Sequence, residues 1–434
     1  MNNPAVSVID REALSKRIFR HIVPLLCLVY VISFLDRTNI GFAKAHMQAD
    51  IGLSAAAYGL GAGLFFLTYA LFEIPSNLIL RRVGARWWIA RIMITWGLLS
   101  SAMAFVQGPT SFYVLRLLLG MAEAGLFPGV MLYFTYWFTR EERAKANGLF
   151  LLGASFANII GSPLAGVLLG MDGVGGLHGW QWMFLIEGVP AVLLAFVVFR
   201  KLPDDPSKAS WVTPEEAREL SSRLAAESAE GVAGSGNHRL LDVVRDRQIL
   251  LAIFVYFCHQ IAIYAVAYFL PSIIRSYGGL SDMRIGLLAA LPWVASAIGA
   301  WYLPRLATTP ARARGLITMA LLVMATGFLI GLNTGPVLAF IGMCLSATVF
   351  WVVNSIIFTF PASRLSGAAL AGGLGFVNSC GILGGFVGPW VMGLAETATG
   401  NPSSGLWLIV VLLVIAGIAT FRLRQGQEER AVKH

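Results

Sequence analysis

The residues able to do chemistry in this chain sit where charges are costly. Phe34-Leu35-Asp36-Arg37-Thr38-Asn39-Ile40 places an acid beside an arginine inside a long apolar stretch. A charge at bilayer depth costs from about 3 to more than about 10 kcal/mol, depending on the measurement, and persists only where it faces a polar interior with partners. Candidate partners lie in Leu115-Arg116-Leu117-Leu118-Leu119-Gly120-Met121-Ala122-Glu123. Arg116 and Glu123 fall on one face of a helix, roughly 10 Å apart along its axis. Arg37 and Arg116 suit a carboxylate, because the planar guanidinium stays charged and offers two parallel hydrogen bonds. Asp36 and Glu123 are the candidate proton carriers. With both acids ionised the four side chains sum to zero. Protonating both leaves two arginines uncompensated, so proton binding raises anion affinity, and linkage makes the effect reciprocal. The expectation is that the four groups face one another across a central cavity.

The composition says what must position them. Of 434 residues, 57% are hydrophobic and only 13% charged, against about 25% charged in a soluble domain. The deficit implies a surface that faces lipid. The net charge of +9 is spread over short loops, which argues against nucleic acid as a partner. Cys27, Cys258, Cys344 and Cys380 all lie in apolar segments without CxxC spacing, so they read as core filler, with no disulfide framework and no metal site. The first apolar run is too long for a signal peptide and contains Asp36 and Arg37, so it reads as a span.

Apolar segments near 19–45, 57–80, 87–106, 111–138, 145–170 and 181–199 each reach the roughly 20 residues that cross a bilayer. Six more follow near 248–275, 283–306, 313–332, 336–360, 367–394 and 402–421. The fold class expected is therefore an all-α membrane protein of twelve spans in two six-helix bundles. The organisation is a tail 1–17, a bundle 18–199, a loop 200–247, a second bundle 248–422 and a tail 423–434. Lys and Arg concentrate in alternate connections, among them Arg81, Arg82, Arg86, Arg140, Lys145, Arg305 and Arg314. The positive-inside rule then puts both termini and the middle loop in the cytoplasm. In that loop Thr213, Pro214 and Glu216 form a helix-start signal, predicting a short surface helix to about Ala229 and a flexible Gly231–Gly236. Glycine and proline interrupt the fifth span (Gly153, Gly161, Pro163) and the eleventh (Gly381, Gly388, Pro389). Matching interruptions in two halves point to transporter repeats, with close packing by small residues as the plainer alternative.

Three motifs resemble the major facilitator superfamily, and within it the anion:cation symporter branch: Ser33 through Ala43, Leu115 through Gly129, and Gly179-Trp180-Gln181-Trp182-Met183-Phe184 with Glu187-Gly188. Pro206 to Glu216 resembles that branch's middle loop. The chain departs from it in four places, one being Leu303-Pro304-Arg305-Leu306-Ala307 between spans eight and nine, which is stripped of acid. Arg81-Arg82-Val83-Gly84 lacks the usual acid of the loop between spans two and three, Glu73 stands where some relatives have Gln, and Ala154 stands where sugar-acid members have a substrate-contacting Gln. The resemblance implies that Arg37 is the primary substrate arginine, that Tyr69 contacts substrate and that Asn378 lies near it. Gln260 and Tyr264, one turn apart, share a face, and Trp351 and Asn354 are amphipathic or polar groups in an apolar span. Glu73 reads as snorkelling to a basic neighbour at least as well as handling protons. His259 reads as packing or cavity, and Glu187 as bonding between a helix start and loops.

These readings imply a proton-coupled symporter of the bacterial inner membrane, monomeric and not an enzyme. It would import an organic carboxylate, with Ala154 tilting the choice toward an aromatic acid such as phthalate or hydroxyphenylacetate over tartrate. An exchanger or facilitator without proton coupling is the alternative. The partners are the small anion, protons and the lipid bilayer. No cofactor is implied, and no GxxxxGK[ST] motif is present.

Overall fold

A chain in hydrocarbon must satisfy its backbone polar groups within each segment, so apolar runs of this length become helices. The computed structural model describes residues 10–233, 243–365 and 367–426. The spanning helices are Arg11–Ile51, Ala55–Val83, Ala85–Phe105, Pro109–Thr135, Arg140–Leu169 and Gly179–Lys201 in the first half. In the second they are Arg247–Arg275, Asp282–Leu306, Pro310–Asn333, Pro336–Ala362, Gly372–Thr399 and the shorter Leu406–Thr420. They are called spans 1 to 12 below. Large apolar side chains such as Leu98, Leu193 and Ile298 stand exposed on their outer faces.

Local signals set the ends. Asp10, Ser54, Asp246 and Ser281 each accept a backbone N–H at the start of a span. The fourth span breaks after Glu123, where Gly125 takes φ 87° beside Ser76, a conformation open to glycine. Span 1 starts at Arg11, so residues 11–17 are helical, not a loose tail. The loop helix runs Pro214–Ala233, beyond the expected end. Thr213 and Glu216 cap it reciprocally. It docks on the first half through Arg11–Glu219 at 2.8 Å and the Arg17–Glu216 pair, and Trp211 just before it stacks on His21. Gly234–Gly236 of the expected flexible stretch lie outside the described residues. The acid missing between spans 2 and 3 is replaced by Asp204 of the middle loop, which accepts from the Arg86 N–H at 3.0 Å.

The halves meet along span 2 against span 11 and span 5 against span 8. Contact is tightest at the end remote from Arg81, Lys145 and Arg305. A Cβ placed on Gly59 would lie 2.3 Å from the Pro389 carbonyl oxygen, and one on Gly286 would lie 2.4 Å from that of Ser162. Lys44 of span 1 pairs with Glu396 of span 11 at the same end. That end is closed.

Candidate functional site

Between the halves lies a cavity of about 1490 Å³. Arg81, Lys145 and Arg305 line its outer part, so it opens toward the basic end. Its inner wall is built by helical repeats of four. Tyr30, Phe34 and Thr38 come from span 1, Tyr69, Glu73 and Asn77 from span 2, and Tyr256, Gln260 and Tyr264 from span 7. Residues i and i+4 stack on one helix face, which puts each set into a single stripe.

Arg37 is the cation of this wall, only 5% exposed. One guanidinium nitrogen donates to Glu123, which also accepts from Ser33 Oγ at 2.6 Å. A second faces the Tyr264 hydroxyl at 3.4 Å, and Nε has no partner. Phe34, Phe65 and Tyr69 surround the group, their ring centres 4.9–5.2 Å from its central carbon, a range at which ring faces attract a cation. The break in span 4 puts Glu123 at a helix C-terminus, where a cation is favoured, and Arg37 supplies it.

The four charged groups do not all face one another. Asp36 points away from the cavity, accepting from Trp96 Nε1 at 2.7 Å and Ser100 Oγ at 2.9 Å of span 3. Adjacent helical residues diverge by about 100°, so Asp36 and Arg37 cannot share a wall. Arg116 is 1% exposed and does not line the cavity. It donates to the Gly61 and Ala62 carbonyls at 3.4 and 3.0 Å and reaches the Tyr268 hydroxyl at 3.5 Å. Two turns separate it from Glu123, enough for a different set of neighbours.

The other expected residues do line the cavity: Tyr69, Gln260, Tyr264, Trp351, Asn354 and Asn378. Trp351 donates to Ser155 across the halves at 2.9 Å. The Gln260 and Asn354 side-chain oxygens have no hydrogen-bond partner. Glu73 is not snorkelling. It is 2% exposed and accepts from Asn378 Nδ2 at 2.7 Å and Ser379 Oγ at 3.4 Å, both of span 11. His259 lies outside the cavity, its Nε2 2.8 Å from the Phe350 carbonyl oxygen. In the Gly179–Gly188 motif it is Trp180 and Gln181 that bond to other segments, at Asp50 and Ala104. Glu187 is buried without a hydrogen-bond partner, near Asn39 and Asp36. Sequence reasoning passed over Phe34, Tyr256 and Tyr268. The first two were detectable from four-residue spacing to Thr38 and Gln260, whereas nothing in the sequence pairs Tyr268 with Arg116. Among the described residues no cluster of His, Cys, Asp and Glu has metal-binding geometry.

A twelve-helix bundle of two halves, closed at one end around a charged midplane cavity, is the architecture of a membrane transporter. The chain belongs to the Major Facilitator Superfamily, whose family model matches residues 26–389. It is 41% identical to a quinolone resistance transporter of Acinetobacter baumannii over 92% of both chains. It is also 41% identical to a putative tartrate transporter of Agrobacterium vitis, over 96% of this chain and 92% of that one. Among solved structures it resembles an inward-facing, occupied bacterial homologue of the human lysosomal transporter Spinster, with a TM-score of 0.73. The identity there is 18%, over 93% of this chain and 96% of the other. The protein is a multi-pass membrane transporter for small molecules.

Proposed function

We propose that this transporter is a symporter that carries an organic carboxylate inward with protons, by alternating access, across the bacterial inner membrane with both termini cytoplasmic. One observation carries the reading: a buried guanidinium in the cavity wall whose charged partner is a single carboxylate, Glu123. While Glu123 is ionised it occupies Arg37. A proton on Glu123 removes that competitor, and Arg37 becomes available to a substrate carboxylate. Substrate and proton then bind with positive coupling. Asp36, on the far face of the same helix turn, is the second candidate carrier. Arg116, one layer behind Phe65, adds positive field at the site. The basic rim of Arg81, Lys145 and Arg305 favours anion entry or release at that end, and under the positive-inside rule that end is cytoplasmic.

Phe34, Tyr69, Tyr264 and Trp351 in the cavity wall favour an aromatic acid; Ala154 is fully buried outside that wall and does not bear on the choice. The relatives' names divide between quinolones and tartrate, so a sugar acid is the second reading, favoured by the unpartnered Gln260 and Asn354 oxygens. Reconstituted protein separates coupled from uncoupled transport. Under an imposed pH gradient the wild type accumulates substrate, while Glu123→Gln loses accumulation and keeps counterflow. A wild type indifferent to the gradient overturns symport and leaves an exchanger or facilitator.

A further inference from the structure

The cavity has a second charged pole that the account above does not use. Glu73 is buried in its wall, and its hydrogen-bond donors, Asn378 and Ser379, are neutral. Among the described residues no Lys or Arg forms an ion pair with it. A buried carboxylate held only by neutral donors has unmet electrostatic demand. Asn378 and Ser379 contribute one hydrogen bond each, and a carboxylate offers about four acceptor sites, so room is left for another donor. Glu73 also lies one turn from Tyr69 on the same face, and Tyr69 presents its ring to Arg37 at 5.2 Å. Guanidinium, aromatic ring and carboxylate therefore follow one another along one wall. The two poles are on the order of 10 Å apart, given about 6 Å per turn between stacked side chains. Gln260 and Asn354, acceptors without donors, line the same space.

We infer that Glu73 is a specificity-determining subsite for a protonated amine, so that the preferred substrate is an aromatic acid carrying an ammonium group at its far end. The inference rests on the carboxylate reading of Arg37 and adds the opposite pole. The carboxylate of such a molecule meets Arg37, its ring lies along Tyr69, and its ammonium donates to Glu73 and to the free amide oxygens. Neither Arg37 nor Glu73 in the cavity wall is then left alone.

Three para-substituted benzoates test this on purified full-length protein, by calorimetric or thermal-shift binding: 4-methylbenzoate, 4-(hydroxymethyl)benzoate and 4-(aminomethyl)benzoate. The wild type is expected to bind the aminomethyl acid at least about tenfold more tightly than the methyl acid, the advantage of one charge-assisted hydrogen bond. Glu73→Gln keeps an acceptor for Asn378, so the fold is retained. It should erase that advantage, so that the methyl and aminomethyl acids bind equally. Equal binding of the methyl and aminomethyl acids by the wild type overturns the inference and leaves the carboxylate reading standing if Arg37→Gln abolishes both. Binding that survives Arg37→Gln overturns the carboxylate reading and the inference together, and no binding of any of the three overturns the inference and the aromatic preference. If Glu73→Gln loses proton-driven accumulation yet keeps the amine preference, Glu73 is a proton carrier and the assignment fails.

Discussion

Replacing Gly59 with alanine should drive the two halves apart at the closed end. Spans 2 and 11 cross there with their backbones in contact. The new Cβ would lie 2.3 Å from the Pro389 carbonyl oxygen and 3.1 Å from the Gly393 Cα, where real Cβ contacts are essentially never shorter than 3.0 Å. The obstacle is backbone, so no side chain can swing aside, and the helices must separate by about 0.7 Å or more. Overpacking of this kind costs about 1–3 kcal/mol. The cost falls only on the arrangement in which this end is shut, so it moves the balance of states by about 5- to 150-fold. Spin labels at Val174 and Met283 would report it, since these exposed positions lie at the closed end, one in each half. In a background lacking the four native cysteines, Gly59→Ala should add a longer-distance population. Gly315→Ala, where a Cβ meets nothing within 4 Å, should not. Gly299→Ala presses on Thr348 inside the second half and should lower thermal stability without lengthening the distance. A Gly59→Ala distribution that superposes on wild type would refute the idea that this seam holds the observed state.

Other consequences follow from the same contacts. Arg116→Gln leaves the Gly61 and Ala62 carbonyls short of a charged donor and should cost about 1–3 kcal/mol of stability, seen as a lower melting temperature, with substrate affinity of the folded fraction falling less than in Arg37→Gln. Lys44→Met strands Glu396 at the closed end and should favour the opened form in the Val174–Met283 distance. The double replacement with Glu396→Leu should reverse most of that shift, because removing both partners of a pair costs less than removing one. Anion association measured by stopped flow should slow as salt rises over a Debye length of about 8–10 Å, and Arg81→Gln with Arg305→Gln should flatten that dependence.

The twelve spans and the presence of charge among them were legible, because apolar length and the cost of buried ions are properties of composition. The facing of each charge was not. Asp36 and Arg37 are neighbours in sequence, so a motif cannot say which enters the cavity; the packing of span 1 against spans 5, 6 and 7 sets its rotation, which turns Asp36 to donors of span 3 and Arg37 to Glu123 of span 4. Arg116 and Glu123 share a helix face, yet the break at Gly125 and the carbonyls of Gly61 and Ala62 give them different partners. Glu73 was misjudged for a similar reason. Eight residues from Arg81 looks close along the chain, but the nearer donors, Asn378 and Ser379, come from the other half, some three hundred residues on.

One asymmetry ties these contacts to movement. Among the described residues every fully buried Asp, Glu, Lys and Arg belongs to the first half, while the second contributes buried neutral groups such as Gln260, Tyr264 and Tyr268. The bonds that cross the midplane are accordingly charge to neutral or neutral to neutral: Arg37 to Tyr264, Arg116 to Tyr268, Asn378 to Glu73 and Trp351 to Ser155. Each is worth about 0.5–3 kcal/mol, whereas stranding one partner of a buried ion pair costs about 3–5 kcal/mol. The second half can therefore rock away from Arg37 and Arg116 without breaking an ion pair, because the charge balance around Arg37 stays within the first half, whereas Glu73 gives up its donors Asn378 and Ser379. The exceptions, Lys44 with Glu396 and His46 with Asp282, stand at the closed end with Glu396, His46 and Asp282 partly exposed, where water can replace the partner as the seam parts.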